Sequence, residues 1–383
     1  MAMLRWARRA RAVSLSSLLV AAAACADSAG PGGPVAIGVS AGMYHSCAVM
    51  AGGAAYCWGR NSYGALGDGT TTPSATPVRV AVAVPFASIV AGWDHTCALT
   101  PAGAAYCWGM NFSGQVGDGS QVHRQMPVPV RGGLSFTALT TGEAHTCGID
   151  TAGTTWCWGA DLSPWPDGRP PGSHLQPERL SGYDFVAISV GYEVACALTP
   201  AGASYCWGLY PPGVVLPDSF GASPTPLPVA DPTRLVTTSA GFKHACGIGA
   251  DMRAWCWGLN ESGQLGDGTR TASDSLRPVT GDHRWRVVSA HAPFHSCGID
   301  TTGQGWCWGS NGSGALGDGS RTTSAAPVAV AGAREFAQVS PGGAHSCGLT
   351  TDGAVYCWGA GAAGQLGTGA FAGALEPVRV ALP

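Results

Sequence analysis

The chain reads Cys47-Ala-Val-Met-Ala-Gly-Gly-Ala-Ala-Tyr-Cys57-Trp58-Gly59, and this pattern of two cysteines ten positions apart, followed by Trp-Gly, occurs seven times. Successive copies lie 49 to 51 residues apart. A fixed period of this size is typical of propellers, solenoids and other repeat architectures. The seven cysteine pairs are Cys47 and Cys57, Cys97 and Cys107, Cys147 and Cys157, Cys196 and Cys206, Cys246 and Cys256, Cys297 and Cys307, and Cys347 and Cys357.

The spacing inside each copy predicts a β-hairpin. In the second copy, a turn at Ala102 and Gly103 places Cys97 opposite Cys107. Glycine recurs at this turn and suits a type I turn closed by a residue with positive φ, and the fifth copy differs, with Arg253 there. Opposed strand residues lie roughly 4.5–5.5 Å apart, a distance that a disulfide spans. Seven disulfides, one in each hairpin, are therefore predicted.

Each copy supplies about four short strands. An apolar strand leads into Gly-x-x-His-Ser/Thr-Cys, the hairpin follows, and a glycine-rich loop leads to Pro-Val-x-Val. Two stretches, Asn260-Glu-Ser-Gly-Gln-Leu-Gly-Asp-Gly268 and Ala91-Gly-Trp-Asp-His-Thr-Cys-Ala-Leu99, resemble the repeat of the regulator of chromosome condensation (RCC-type) family. The resemblance covers residues 35–383, and the cysteine pair is similar to that of exported bacterial members.

The resemblance implies an all-β fold, a seven-bladed β-propeller with about four antiparallel strands in each blade and one repeat per blade. It also implies that proteins bind through loops on one face, and it implies no activity, since the recurring motifs are scaffold residues in that family. In Tyr106-Cys107-Trp108, strand alternation puts the cysteine on one face and both rings on the other. We therefore expect the aromatic face of one blade to pack on the disulfide face of its neighbour, and the terminal strands to pair and close the ring.

The N-terminal segment predicts export. Residues 1–24 combine a basic head with a short apolar run and are interpreted as a secretory signal peptide. Fourteen of the 15 cysteines are paired, and Cys25 follows Ala22-Ala23-Ala24, which resembles the lipid-attachment site of bacterial lipoproteins. Residues 25–34 would then be a lipidated cysteine and a flexible tether. The alternative is plain secretion, with cleavage after Ala24 or Ala26.

The composition agrees with export and argues against nucleic acid as a partner. Only 11% of the residues are charged and the net charge is −3, so no basic field for nucleic acid is expected. We predict a monomeric lipoprotein of the cell envelope, or a secreted protein if Cys25 is not lipidated. Its membrane contact would be made by the N-terminal lipid only, and its protein partner is unknown.

Histidine recurs two residues before the first cysteine of six copies, opposite the glycine of Cys-Trp-Gly. One interpretation is a His-Cys-Cys metal site, and the other is a half-buried histidine bonded to the backbone. The second is favoured, because Val194 replaces the histidine in the fourth copy and no further ligand recurs. The six are His45, His95, His145, His244, His295 and His345.

The Asp-Gly pairs of the loops have two interpretations as well. They lack the alternating carboxylates of a calcium loop, so turn-forming aspartates are favoured. The sequence thus predicts no cofactor, no metal and no catalytic residue, and a non-enzymatic scaffold. The alternatives are a lyase or hydrolase with His, Glu and Arg converging on one rim, or a carbohydrate-binding module with repeated rim aromatics. The aspartates are Asp68, Asp118, Asp267 and Asp318.

The repeat fails in the loops of the third and fourth copies. Trp165, Tyr210 and Phe220 stand there in proline-rich segments, where other copies have small polar residues. Rigid aromatic side chains are effective anchors of protein interfaces, so these three are candidate partner-binding residues. His123 and Arg124 in the second copy are further candidates. The alternative for the divergent loops is drift in tolerant segments.

Overall fold

The computed structural model describes residues 35–160, 172–192, 194–208, 223–229 and 233–383, with the backbone alone for residues 223–225. These residues form seven four-stranded antiparallel sheets, and the fold is the predicted all-β, seven-bladed β-propeller. The described part of the chain contains no helix long and apolar enough to cross a bilayer.

Every blade is built from four consecutive strands, numbered here in chain order. Blades 1 and 2 contain β1 (Ala36–Ala41), β2 (His45–Met50), β3 (Ala55–Gly59), β4 (Ser74–Arg79), β5 (Ser88–Ala91), β6 (His95–Leu99), β7 (Ala105–Gly109) and β8 (Arg124–Pro129). Blades 3 and 4 contain β9 (Phe136–Thr141), β10 (His145–Asp150), β11 (Thr155–Ala160), β12 (Ser173–Arg179), β13 (Ala187–Val190), β14 (Val194–Leu198), β15 (Ser204–Gly208) and β16 (Ser223–Pro228). Blades 5 to 7 contain β17 (Leu235–Ala240), β18 (His244–Gly249), β19 (Ala254–Gly258), β20 (Ser273–Pro278), β21 (Trp285–Ser289), β22 (His295–Asp300), β23 (Gly305–Gly309), β24 (Ser324–Ala329), β25 (Phe336–Pro341), β26 (His345–Thr350), β27 (Val355–Gly359) and β28 (Ala374–Arg379).

The central hairpin of each blade has the register deduced from cysteine spacing. In blade 2, Cys97 pairs with Cys107 across the hairpin, and Gly103 closes the turn at φ +83°. In blade 5 the assignment of Arg253 to the glycine position was wrong by one residue. Met252 stands there and adopts φ 65°, a conformation that is costly for a residue with a side chain.

A disulfide joins the two strands of every central hairpin. The bonded cysteines have Cα atoms 4.0–4.1 Å apart, slightly closer than the spacing expected from the sequence. Each disulfide therefore lies within one blade and links no two blades. In blade order, the disulfides join Cys47 to Cys57, Cys97 to Cys107, Cys147 to Cys157, Cys196 to Cys206, Cys246 to Cys256, Cys297 to Cys307, and Cys347 to Cys357.

The core lies between blades, as the alternation within the strands predicts. The bonded pair Cys47 and Cys57 of blade 1 packs against Phe86 and Trp108 of blade 2, and the indole is fully buried. Removing such a ring from a core costs about 3–5 kcal/mol. The long loop of blade 1 also enters this space. A Cβ atom at Gly67 would lie 2.6 Å from Nε1 of Trp108, so only glycine allows the loop to approach so closely.

The ring closes without pairing of the terminal strands, and that prediction was wrong. β1 is the innermost strand of blade 1 and pairs with β2, whereas β28 is the outermost strand of blade 7 and pairs with β27. Because each sheet consists of consecutive strands, blades 7 and 1 meet face to face like the other blades. The amide of Ala41 donates to Ser340 Oγ at 2.9 Å, and Trp58 packs against the disulfide of blade 7.

Because successive strands of each blade run in opposite directions, the propeller has two distinct ends. The links between first and second strands, and the long links between third and fourth strands, emerge at one end, which we call the loop face. The tight hairpin turns emerge at the opposite end, the turn face.

Candidate interaction face

The recurring histidines join neighbouring blades. Nε2 of His45 lies 2.8 Å from Oγ1 of Thr96 in blade 2, and this hydroxyl donates to the carbonyl oxygen of Ala65 at 2.9 Å. Since the hydroxyl proton is used in that bond, the imidazole donates from Nε2. Nε1 of Trp108 donates to the same carbonyl at 2.8 Å. We call this set of bonds an interblade latch.

Five of the seven contacts between neighbouring blades, here called seams, carry this latch. The histidine–hydroxyl pairs are His45–Thr96, His95–Thr146, His244–Ser296, His295–Ser346 and His345–Ser46, at Nε2–oxygen distances of 2.8–3.0 Å. The expectation of half-buried histidines bonded to backbone was wrong, because the rings are almost fully buried and bond to a side chain of the next blade. The partner lies 51 or 52 residues away in four of the pairs and 299 residues away in the fifth, which a motif within one repeat does not reveal.

Burial keeps these imidazoles neutral. Desolvation lowers the pKa of His45 to about 4, and Arg60 adds to the effect. Desolvation likewise lowers the pKa of His95 and His345 to about 3. Their Nε2 atoms are engaged in latches and their neighbouring cysteines in disulfides. Among the described residues no group of three His, Cys, Asp or Glu side chains is placed to hold a metal ion.

Within the described part of the chain, the two seams that flank blade 4 have no latch. His145 of blade 3 faces a blade in which Ala195 stands at the hydroxyl position, and its Nε2 atom is buried without a hydrogen-bond partner. Between blades 4 and 5, Val194 replaces the histidine and Ala245 replaces the hydroxyl residue. Nε1 of Trp257 in blade 5 is also buried without a partner.

The long loops are organised around a buried asparagine. In blade 2, Asn111 donates to the carbonyls of Ser120 and Val122 and accepts from the amide of Val116. Asp118 accepts from the amide and hydroxyl of Ser120, as expected for a turn-forming aspartate. Burial raises the pKa of Asp118, but hydrogen bonds from Ser120 and Arg124 outweigh this effect and lower it.

The two candidates in blade 2 have different surroundings. Arg124 is half-buried, and its Nε donates to Asp118 Oδ2 at 2.6 Å. Nδ1 of His123 accepts from the amide of Asn111 at 2.9 Å, and its ring lies 4.3 Å from that of Phe112 and 4.9 Å from that of Tyr63.

His123 therefore belongs to an exposed apolar cluster on the loop face, which we call the blade 2 patch. It consists of the contacting rings of Tyr63, Phe112 and His123, together with the exposed Val122 and Met126 of the same loop and the strand that follows it. Phe112 and Val122 are each 58% exposed and Met126 is 53% exposed. The scaffold does not require these side chains, since other blades fold the same loop without them. At the positions of Phe112, Val122, His123 and Met126, blade 1 has Ser62, Thr72, Pro73 and Thr76, and blade 6 has Gly312, Thr322, Thr323 and Ala326.

A second aromatic cluster lies around the propeller axis on the same face, and we call it the axial row. Tyr44, Trp93, Tyr192, Phe242 and Phe294 follow one another with centroid separations of 6.3, 4.9, 4.3 and 5.9 Å. They occupy the variable positions of Gly-x-x-His or lie next to them, and reasoning from the sequence missed them. The aromatic content of these positions in several copies is the signal that could have revealed them.

The scaffold does not require the aromatic side chains of the axial row either. Blade 7 makes the same link with Gly343 and Ala344. The cavity beside Trp93, Tyr192 and Glu143 has a volume of about 40 Å³, which is space for a few water molecules. Drug-sized ligands occupy pockets of roughly 300–1,000 Å³. The axial opening is therefore a surface rather than a ligand pocket.

A larger cavity, about 310 Å³, lies on the turn face between blades 5 and 6. Arg253, His283, Arg284 and Trp285 line it. Blade 1 has a corresponding cavity of about 110 Å³. This gap between a hairpin turn and the next blade is thus a feature of the repeat, which is enlarged in blade 5.

Asp94 and Arg60 form an ion pair beside the axial row, with 3.0 Å between Nη2 and Oδ2. Desolvation raises the pKa of Asp94 to about 6, and Arg60 opposes the rise.

Four residues singled out in the sequence, Cys25, Trp165, Tyr210 and Phe220, lie outside the described residues.

These features define a seven-bladed β-propeller with one disulfide in each blade, whose loop face carries more exposed apolar side chains than the fold requires. The chain belongs to the Regulator of chromosome condensation (RCC1) repeat family. Models of this repeat match residues 52–99, 102–149, 302–349 and 352–383, and residues 36–65, 86–115, 236–264 and 336–365. No curated protein sequence matches the chain significantly.

Solved structures share the fold at low sequence identity. Human WBSCR16 has a TM-score of 0.75 and 18% identity, over 86% of this chain and 94% of that one. Yeast RCC1 (Prp20) in complex with Kap60 has a TM-score of 0.75 and 19% identity, over 85% and 83%. Prp20p from Saccharomyces cerevisiae has a TM-score of 0.70 and 20% identity, over 80% of each chain. Identities this low establish the fold alone.

Proposed function

We propose that the chain is an exported, lipid-anchored β-propeller that serves as a non-enzymatic protein-binding scaffold at the cell envelope, with the loop face as its binding surface. The observation that carries the proposal is the surplus of apolar side chains on that face. Contiguous exposed apolar patches on soluble proteins mark interaction sites, and aromatic residues dominate the centres of protein interfaces. The blade 2 patch and the axial row both have this character.

The chemistry of the face favours a protein over a small molecule. The cavity at the axis is far smaller than a ligand pocket. Arg124 is paired with Asp118, and Arg60 with Asp94, so these two cations are neutralised within the face. A partner with an uncharged apolar centre would fit such a surface.

Two similar structures support the same class of function. One is yeast RCC1 (Prp20) with Kap60 bound to it, and the other is Prp20p, which was characterised together with its binding to Gsp1p and histones. We extend from them only the use of the propeller as a binding surface for proteins. The seven disulfides favour an oxidising compartment, and lipidation of Cys25 would hold the protein at the envelope.

The repeat itself supplies a variant that tests the binding surface. Phe112→Ser, Val122→Thr and Met126→Thr together install the residues of blade 1 in blade 2, so the fold should be retained. After crosslinking in envelope extracts, we expect the wild type to capture a defined protein that the triple variant loses. Val186→Ala trims an apolar side chain that is 59% exposed ahead of β13, on the turn face, and serves as the control outside the proposed surface. Equal recovery by all three proteins would reject the blade 2 patch as the contact.

Two further parts of the proposal need their own variants. A Trp165→Ala/Tyr210→Ala double variant tests the divergent loops in the same assay, and unchanged capture would remove them from the interface.

Cys25→Ser should abolish incorporation of a labelled fatty acid and release the protein from the membrane fraction. If the wild-type protein incorporates no labelled fatty acid, the protein is secreted and not anchored, and the loop-face proposal is unaffected.

A further inference from the structure

The seams of the ring differ in strength in a way that follows from their hydrogen bonds. At each of the five latched seams, a histidine donates to a hydroxyl of the next blade, and that hydroxyl and an indole both donate to one carbonyl. At the seam of blades 6 and 7, His295 bonds to Ser346, which donates to the carbonyl of Ala315 at 2.9 Å, and Trp358 donates to that carbonyl at 2.8 Å. Such buried bonds are directional, so separation of the blades breaks all of them together.

The seams of blade 4 keep their apolar contacts. Val194, Leu198, Leu235 and Trp257 pack together between blades 4 and 5. A backbone amide also bonds to an inner-strand hydroxyl at each seam, from Val190 to Thr140 at 3.0 Å and from Ala240 to Ser189 at 2.9 Å. Apolar contacts are not directional, so among the described residues blade 4 has fewer directional bonds to its neighbours.

Each seam of blade 4 leaves one atom of the missing latch without a partner. Nε2 of His145 and Nε1 of Trp257 are buried without partners in the closed ring. A buried polar group that lacks its hydrogen bond carries an unfavourable desolvation cost. When a seam opens, water satisfies the group and that cost disappears. At four of the latched seams Nδ1 of the histidine is buried without a partner as well, so this cost is common to both kinds of seam and the difference lies in the missing latch bonds.

We infer that blade 4 is the opening element of this propeller, and that the seams on either side of it separate far more often than the other five. The opening is a local motion of one blade between two intact neighbours. It goes beyond the proposed function, because it assigns a conformational property to a defined place in the ring. Of the two loops in which the repeat pattern is lost, one lies between β11 and β12 of blade 3 and the other between β15 and β16 of blade 4.

Hydrogen exchange of the full chain, followed by mass spectrometry, tests the inference, because a blade that separates from its neighbours loses the packing that stabilises the hydrogen bonds of its own strands. The central hairpin strands β14 and β15 of blade 4 are compared with β26 and β27, their equivalents in blade 7. Loss of a latch, with its two or three buried hydrogen bonds, shifts an opening equilibrium by on the order of 10- to 100-fold. We therefore expect amides of β14 and β15 to exchange faster by that factor.

Variants that add or remove a latch separate this cause from other features of blade 4. Val194→His with Ala245→Ser supplies the missing pair, and Gly208 opposite residue 194 leaves the space that the imidazole uses in other blades. Ala195→Ser gives His145 an acceptor and is the milder second variant. Both should slow exchange in β14 and β15 about tenfold or more. Ser346→Ala should speed exchange in β26 and β27 and leave blade 4 unchanged.

Two outcomes would overturn the inference. One is wild-type exchange in β14 and β15 as slow as in β26 and β27. The other is fast exchange that neither the Val194→His/Ala245→Ser variant nor Ala195→Ser reduces. If the double variant does not fold, the comparison of Ala195→Ser with Ser346→Ala decides.

Discussion

Acid should destabilise this propeller through its buried histidines. Burial lowers the pKa of His45 and His295 to about 4, and of His95, His145, His244 and His345 to about 3, from the ordinary value of 6.5. Below pH 6.5 the unfolded chain binds protons that the folded ring does not. The stability is therefore complete above pH 6.5 and is lost as the pH falls toward the folded values.

The size of the effect follows from the number of histidines. Each one costs about 1.4 kcal/mol of stability for every pH unit below 6.5, so six cost about 8 kcal/mol near pH 5.5. This is comparable to the whole stability of a typical domain, about 5–15 kcal/mol. Asp94 acts in the opposite direction, since its raised pKa contributes stability below pH 3.8 that is lost as the pH rises through about 6. The single carboxyl group of Asp94 therefore does not reverse the loss of stability caused by the six histidines.

Denaturant unfolding at a series of pH values between about 7.5 and 5 tests this expectation. The free energy of unfolding should fall steeply below pH 6.5. His345→Gln keeps a donor for Ser46 without a titrating group, and it should reduce the slope by about 1.4 kcal/mol per pH unit. A stability that stays constant from pH 6.5 to about 5 would refute the reasoning, because it would mean that the histidines are protonated equally in both states.

Three further perturbations test the scaffold by thermal or denaturant unfolding. Thr96→Val removes two bonds of a latch and leaves Nε2 of His45 unpartnered, so we expect a loss of about 2 kcal/mol, and a change below about 0.5 kcal/mol would show that the latch has no energetic role. Cys97→Ala with Cys107→Ala opens one hairpin and should cost about 3 kcal/mol on the chain-entropy estimate; an unchanged midpoint would contradict that value. Gly67→Ala forces a side chain into a φ of +69° and against an indole 2.6 Å away, and it should cost more than the roughly 1 kcal/mol that a left-handed conformation alone requires. An unchanged stability of the Gly67→Ala variant would mean that the loop shifts to accommodate the added methyl group.

The sequence predicted the parts of the fold that repeat within one blade. Ten-residue spacing fixed the register of Cys97 against Cys107, and alternation in Tyr106-Cys107-Trp108 predicted which face of the blade meets the next disulfide. Both depend on neighbours close in sequence, where the period of a strand is decisive. The turn of blade 5 was assigned one residue too late, to Arg253, whereas the position equivalent to Gly103 is Met252, which adopts φ 65°.

Relations between blades were harder to predict. The bond of His45 to Thr96 and the closing contact of Ala41 with Ser340 join residues about 50 and 300 positions apart, and no local pattern connects them. The axial row was overlooked because its members stand at variable positions of a motif that was treated as scaffold. Only the circular arrangement of blades brings Trp93 and Tyr192 into contact across the axis.

Disulfide mapping of the protein isolated from its natural host is the decisive experiment for the blade structure. Non-reduced protein is alkylated, digested and analysed by mass spectrometry. We expect all fourteen cysteines of the repeats to be protected and each to pair within its own hairpin, as Cys47 does with Cys57. Free thiols at these positions, or links between different blades, would contradict both the blade structure and the oxidising compartment on which the proposed function depends.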